Sequence, residues 1–330
     1  MKRMFDSKVQ IIAEIGINHM GNLNLCKKML TESKKAGADY AKLQIINADE
    51  SYEKGTISYK LFKKSSFNFE QLLKISQFCK RRKIKLFATP GDFHSLKILK
   101  NLNFPLVKIS SGLNNNYPLI DEAIRLGKHI IVSTGMLTRE EIDTLYAYLK
   151  SKTNNFSLLK CTSVYPAKDE NLNLSAIKSF DKKYKCLVGY SDHTKDDLAV
   201  LTAVANGAKI IEKHFTLDNK LKGYDHKISL EPEAFKNMVI KIRRIEKIMG
   251  VKNFSLSKKE QLNAKKSHRV IFVKKSKLKN EAIKINEVFF MRPKKRKKKS
   301  ILARDFKKFS HKVLKKNIKA MSQLTFDYFK

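Results

Sequence analysis

At 330 residues, with hydrophobic residues at 42% and a formal net charge of +38, the chain is long enough to bury a large core. No apolar run approaches the roughly 20 residues that span a membrane, and the opening MKRMFDSK lacks the apolar centre of a secretion signal, so a cytoplasmic protein is expected. Cys26, Cys79, Cys161 and Cys186 show no CxxC or other metal-ligand spacing, which argues for reduced thiols against a disulfide or zinc scaffold.

Apolar runs of strand length fall at 9–15, 40–45, 85–88, 106–109, 130–132, 156–160, 186–188 and 209–211. Helical periodicity fills the intervals at 23–36, 69–82, 95–102, 118–126, 139–149, 174–180 and 198–206, with 233–249 last. Asn22, Asn68 and Thr138 stand where helix caps belong, and glycines at 37, 127 and 207 follow helices as stops. Eight strands alternating with helices predict a closed (β/α)₈ barrel. An open doubly wound sheet is the alternative, disfavoured by the strand count and by the lack of a GxGxxG turn.

The polar residues cluster at the ends of these strands. Glu14, Asn18 and His19 follow the first; Lys42 and Gln44 the second; Thr89 the third; Lys108, Ser110 and Ser111 the fourth. Ser133 and Thr134, then Thr162, Ser163 and Tyr165, then Ser191, continue the series. In a barrel all of them lie on the C-terminal face, where active sites of this fold sit. Lys42 and Lys108 among small hydroxyls make a phosphate cradle, with mobile cations beside hydroxyl and backbone N–H donors.

The stretch 189–230 carries GYSDHT (189–194), IIEKHFTLD (210–218) and GYDHKISLEP (223–232). It reads as strand, helix, strand, so His193 and His214 end parallel strands on the same side. Two imidazoles beside Glu212, Asp225 and His226 suit a first-row divalent metal that keeps positions open for a substrate oxygen.

Past residue 250 the composition changes: residues 251–330 hold 26 Lys and Arg against 5 Asp and Glu, whereas the first 250 hold 43 against 26. This divides the chain into a barrel at 1–250, a linker at 251–264 and a small domain at 265–330. The run RPKKRKKK (292–299) invites a nucleic-acid reading. It lacks interleaved aromatics and any recognisable nucleic-acid module, which favours a solvated basic loop.

The motifs IIAEIGINHMGN (11–22), AKLQ (41–44), ATPGD (88–92), VKISSG (107–112), STGM (133–136), LKCTSVYPA (159–167), VGYSDHT (188–194), IEKHFTLD (211–218) and DHKISLEP (225–232) together resemble the sialic acid synthase family. The similarity runs in register from about residue 11 to about residue 293. The resemblance implies a transferase that condenses phosphoenolpyruvate with a 2-acetamido sugar such as N-acetylmannosamine, with a divalent metal, Mn²⁺ or Mg²⁺. It also implies a C-terminal antifreeze-like (SAF) domain at 265–330 and a domain-swapped homodimer.

Carried over residue by residue, it makes His193 and His214 the metal ligands. Lys42, Gln44, Thr89, Lys108, Ser111, Ser133 and Ser191 then bind substrate, chiefly phosphoenolpyruvate. Glu212 contacts sugar or metal waters, Tyr165 lies beside the sugar, and Arg292 reaches the partner subunit's acetamido site. Glu14, Asp225 and His226 are the candidates for proton transfer. The chain departs from the family at Leu113, where a glutamate is expected beside the sugar aldehyde, and at Gly91, where a phenylalanine is expected. The segment 46–67 is shorter than usual, and Lys294 to Lys299 replace a glycine-rich loop. Two alternatives follow: a relative using another aldehyde, such as a 2,4-diacetamido-trideoxyhexose as in legionaminate synthases, and a non-catalytic basic protein that binds nucleic acid.

Overall fold

Half of the apolar runs extend, once folded, into the polar residues that follow them. The computed structural model describes residues 8–250 and 255–329. Its strands are β1 (Gln10–Gly16), β2 (Tyr40–Ile45), β3 (Leu86–Pro90), β4 (Leu106–Ile109), β5 (His129–Ser133), β6 (Phe156–Cys161), β7 (Leu187–Asp192) and β8 (Ile210–His214). All pair in parallel with their sequence neighbours, and β8 closes on β1. The expected (β/α)₈ barrel is the observed one. β5, β7 and β8 run further than their apolar residues indicated, because Ser133, Asp192, Glu212 and His214 keep the ladder while breaking the hydrophobic pattern.

The helix after each strand covers the barrel with one apolar face. In Leu23–Lys35 the buried residues are Cys26, Met29, Leu30 and Ser33, a spacing of three and four that forms one stripe. Each fully buried Met or Leu contributes roughly 1.5–3 kcal/mol. The Asn22 side chain accepts from Leu25 N at 2.9 Å, and Asn68 with Gln71 and Thr138 with Glu141 form capping boxes. Short helices Ala48–Ser51 and Ile57–Ser65 occupy the segment that sequence reading left without structure. Cys26, Cys79 and Cys161 are buried and Cys186 half-buried, all as free thiols. Among the described residues no helix is long and apolar enough to cross a membrane.

The chain separates into two compact units, Met1–Gly250 and Val251–Lys330. Of the linker expected at 251–264, residues 251–254 lie outside the described residues, and the remainder enters a helix, Lys258–Ser267. Ser257 and Glu260 close a capping box at its start, a signal masked by the absence of any buried face. The second unit has its own core, including Ile271, Val273, Ile283, Ile301, Leu314 and Leu324. Strands β9 (Val270–Val273) and β10 (Val288–Met291) pair antiparallel there. The basic run folds as a turn, with Gln323 accepting from Lys297 N at 3.1 Å and donating to Lys295 O at 2.7 Å.

Alternation along β7 and β8 points Ser191 and Glu212 into the barrel and Asp192 and Lys213 outward. Asp192 and Lys213 are register partners, and both side chains are fully buried as an ion pair. Tyr190 donates to Asp192 at 2.9 Å, and Lys213 also donates to the Thr194 carbonyl. Replacing Lys213 with Met strands a carboxylate in the layer between sheet and helices. Urea unfolding should register a loss of roughly 3–5 kcal/mol, and adding Asp192→Asn should recover most of it. A single variant within 1 kcal/mol of the native protein would show that the pair is not a structural tie.

Candidate active site

Strand register brings the functional side chains into one ring. Glu14 pairs with Lys42 and with His214, Gln44 with Thr89, Cys161 with Ser191, and Ser191 with Glu212. Register partners share a face, and these residues stand at the C-terminal ends of their strands. The interior of the barrel therefore becomes polar at the same height on nearly every strand.

Four buried charges hold this ring together. Lys42 Nζ lies 2.8 Å from Glu14 and 3.6 Å from Glu212, and Lys108 Nζ lies 2.8 Å from Glu212. All four are at most 5% exposed. Lys42 also donates to Thr89 at 3.0 Å, and Ser191 donates to Glu212 at 3.0 Å. Burial alone would raise the Glu212 carboxyl, but the Lys108 and Lys42 ammonium groups outweigh it and bring it down to about 2. Burial and the nearby Glu212 charge raise Glu14, with Lys42 opposing. Burial lowers Lys108, whereas on Lys42 the two glutamates overcome burial and raise it.

An arc of hydroxyls continues the cradle beyond the lysines. Ser111 accepts from Gly135 N at 3.1 Å, and the Ser133 hydroxyl is buried with no partner. A Cβ on Gly135 would stand 2.3 Å from Ser163 Oγ and 2.6 Å from Ser111 Oγ, so glycine leaves the space that these two hydroxyls occupy. Asn114, which sequence reading missed, fixes this loop through bonds to the Ser133 and Gly135 carbonyls at 3.2 and 3.0 Å. Two cations, several hydroxyls and one unpartnered donor match what a phosphate or carboxylate requires.

Opposite stand the two histidines, with ring centroids 5.4 Å apart. His193 Nδ1 donates to the Thr162 carbonyl at 2.8 Å, which leaves Nε2 facing outward from that bond. His214 Nδ1 is buried without a partner, 3.8 Å from Asp225. Burial, then the His193 and Lys42 charges, push His214 well below the usual histidine range, so it is a neutral base at pH 7. On His193 burial is outweighed by the Cys161 sulfur, 3.9 Å away, and its pKa is raised. The donor set fits a divalent ion: two imidazoles offer free ring nitrogens, one of them an orphan. Among the described residues no group of three or more His, Cys, Asp or Glu is arranged around such an ion, so water and substrate oxygens would complete its shell.

The acids converge on Gly16, whose left-handed backbone (φ +54°) leaves room for them. A Cβ there would lie 3.2 Å from Glu14 Oε1 and 3.6 Å from both Asp225 Oδ2 and Gln44 Nε2. Burial raises Asp225 against the pull of His193 and Lys42. Glu14 and Asp225 are therefore neighbouring carboxyls with an elevated tendency to hold a proton. Tyr165 packs 4.1 Å from the His193 ring and is 53% exposed, at the rim. His226 bonds Thr216 at 2.7 Å and leaves a buried Nε2 unpartnered. Leu113 is half-buried against the barrel core, and Arg292 stands exposed after β10 in the second unit. Cys161 was also missed as a site residue; its place two positions beyond an inward-facing leucine of β6 was the available signal.

Residues 29–254 match the model of the NeuB family. The N,N'-diacetyllegionaminic acid synthase of Campylobacter jejuni is 38% identical, over 94% of this chain and 97% of its own. The N-acetylneuraminate-9-phosphate synthase of Homo sapiens is 32% identical, over 73% and 71%. The crystal structure of a sialic acid synthetase from Leptospira borgpetersenii serovar Hardjo-bovis, in complex with citrate, superposes with a TM-score of 0.75 at 37% identity. It covers 78% of this chain and 90% of that one.

The depressed Glu212 carboxyl has a consequence for acid stability. Its folded pKa, about 2, lies below the ordinary 4.5, so its contribution is fully present above pH 4.5 and is lost as pH falls toward 2. Glu212→Gln should remove that acid-side loss and lower stability at pH 7 by roughly 3–5 kcal/mol, because two lysines lose their shared counter-ion. Denaturant midpoints measured from pH 2 to 7 test both effects. An unchanged acid limb in the variant would refute the assignment.

Proposed function

Because the chain belongs to the NeuB family, we propose that it condenses phosphoenolpyruvate with a 2-acetamido sugar aldehyde, releasing phosphate and a nonulosonic acid. The observation that carries this reading is the buried ring of Lys42 and Lys108, held by Glu14 and Glu212 and flanked by the unpartnered Ser133 hydroxyl. Phosphoenolpyruvate offers a carboxylate and a phosphate at one end and a nucleophilic carbon at the other. The lysines and hydroxyls take the anionic groups and leave C3 directed toward the histidine side.

In the reaction the enol π electrons form the new bond between C3 and the aldehyde carbon. The aldehyde oxygen takes a proton, water adds at C2 with loss of a proton, and the C2–O bond to phosphate breaks as the new C2 hydroxyl becomes the ketone and its proton goes to the departing phosphate. Glu14 and Asp225, with raised pKa values and 4 Å or less from a common point, are the pair to which we assign these proton transfers. Lys42 lies against Glu14, so charge shifts on that carboxyl are offset within 3 Å. A divalent ion, Mn²⁺ or Mg²⁺, held on the free nitrogens of His193 and His214 would supply Lewis-acid polarisation of the aldehyde. Tyr165 forms a wall for the sugar.

Our first assignment for the sugar is an N-acetylmannosamine-type hexose. Leu113 favours a second reading, a less hydroxylated 2,4-diacetamido-trideoxyhexose, since an apolar half-buried side chain cannot hydrogen-bond a hydroxyl. The similarity to the Campylobacter synthase supports the same reading. We assign the second unit as a diverged antifreeze-like domain, with Arg292 serving the partner's acetamido site in a swapped dimer. The support is that β9 and β10 fall within 265–330 and pair there in a unit with its own core.

Phosphate release from phosphoenolpyruvate should require one of these sugars, and Lys108→Met should lower kcat/KM by roughly 10²–10³. Steady-state rates with both sugars, for the native protein and Leu113→Glu, separate the two sugar readings. A gain by the variant on N-acetylmannosamine supports the first; a loss confined to the diacetamido sugar supports the second. No phosphate release with either sugar, at any concentration of Mn²⁺ or Mg²⁺, would overturn the proposal.

A further inference from the structure

Lys160 sits one residue before Cys161 on β6, and alternation sends it to the opposite face of the sheet. Cys161 enters the barrel beside His193; Lys160 points out beneath the helices Arg139–Lys152 and Ala176–Lys183. There it borders a cavity of about 640 Å³, within the size range of small-molecule sites. Ile142, Phe180 and Tyr184 form apolar walls, and Arg139 and Lys183 stand among the lining residues, which include no Asp or Glu.

The ammonium of Lys160 lacks a matching counter-ion. It is half-buried, and its hydrogen bonds are two long ones, to the Cys161 carbonyl at 3.2 Å and the Thr162 hydroxyl at 3.3 Å. Burial lowers its pKa with only the Cys161 sulfur opposing. Lys213 provides the internal comparison: it too points outward near a strand end, and there Asp192 neutralises it. Lys183 is already paired with Asp143. A half-sheltered cation facing an apolar, acid-free cavity is an incomplete ion pair whose missing half is a ligand.

We propose that this cavity, between strand β6 and the helices that cover it, is a second binding site for an amphipathic organic anion. Its carboxylate, phosphate or sulfonate head would pair with Lys160 and Arg139, and its apolar body would lie against Ile142 and Phe180. Thr162 connects this site to the first: its hydroxyl accepts from Lys160, while its carbonyl accepts from His193. Thr134, Cys161 and Ser163 also line it, so the cavity adjoins the hydroxyl arc, but its cations, Lys160, Arg139 and Lys183, are distinct from Lys42 and Lys108.

Titration of the full-length protein with 8-anilinonaphthalene-1-sulfonate, read by fluorescence, tests the assignment. Saturable binding should weaken about tenfold or more in Lys160→Gln, the size expected for loss of a charge-assisted bond. It should persist in saturating phosphoenolpyruvate. Arg139→Gln, at an exposed position, serves as a second variant should Lys160→Gln misfold, with a loss of about threefold or more expected. Unchanged affinity in the folded variants would overturn the proposal, as would competitive displacement by phosphoenolpyruvate.

Discussion

Two lysines and two glutamates share one buried layer at the C-terminal end of the barrel, and neither pair is stable there without the other. A buried ammonium or carboxylate left alone carries a penalty of several kcal/mol. Alternating signs around the ring, with Lys42 between Glu14 and Glu212 and Lys108 against Glu212, offset that penalty. Closure of the sheet makes the arrangement possible, because β8 returns to β1 and brings Glu212 across from Lys42 and Lys108. The hydroxyl arc and the histidine pair are placed by the same strand ends.

The barrel was legible because each strand had an apolar core and several helices, among them Leu23–Lys35, Phe69–Arg81 and Arg139–Lys152, a side-chain cap. Asn68 and Thr138 have their partners three residues on, so local sequence was sufficient to locate those helix starts. The strand ends were legible only in part. Ser133, Asp192, Glu212 and His214 are polar, and a reading based on apolar runs stops before them, yet Ser133, Glu212 and His214 stand in the candidate site. Helix Ile57–Ser65 was hidden because its packing partners lie far along the chain: Phe62 joins a small cluster with Ile17 and Ile46.

Residue roles within the site depended more on three-dimensional placement than on residue type. Asp192 looks as suitable for catalysis as Glu212, but one residue of offset turns it outward to a structural pair with Lys213. Asn114 gave no sequence signal, since its hydrogen bonds to the Ser133 and Gly135 carbonyls depend on two loops meeting. The basic run at 292–299 illustrates the reverse case. In sequence it resembles a free polycationic segment; in the fold its backbone is fastened to Gln323, and Lys299 pairs with Asp327. That leaves less of it free to follow a phosphate backbone.

The ring also fixes the electrical state from which ligand binding starts. With both lysines protonated and both glutamates ionised, the layer sums to zero, so a multiply charged anion entering it arrives at a neutral receptor and not at a cationic one. Part of its charge must then be compensated by something that accompanies it. Glu14 and Asp225, carboxyls already inclined toward the protonated form, are placed to take up protons as the anion settles. By linkage, the binding of an anion beside those two carboxyls and their protonation favour one another.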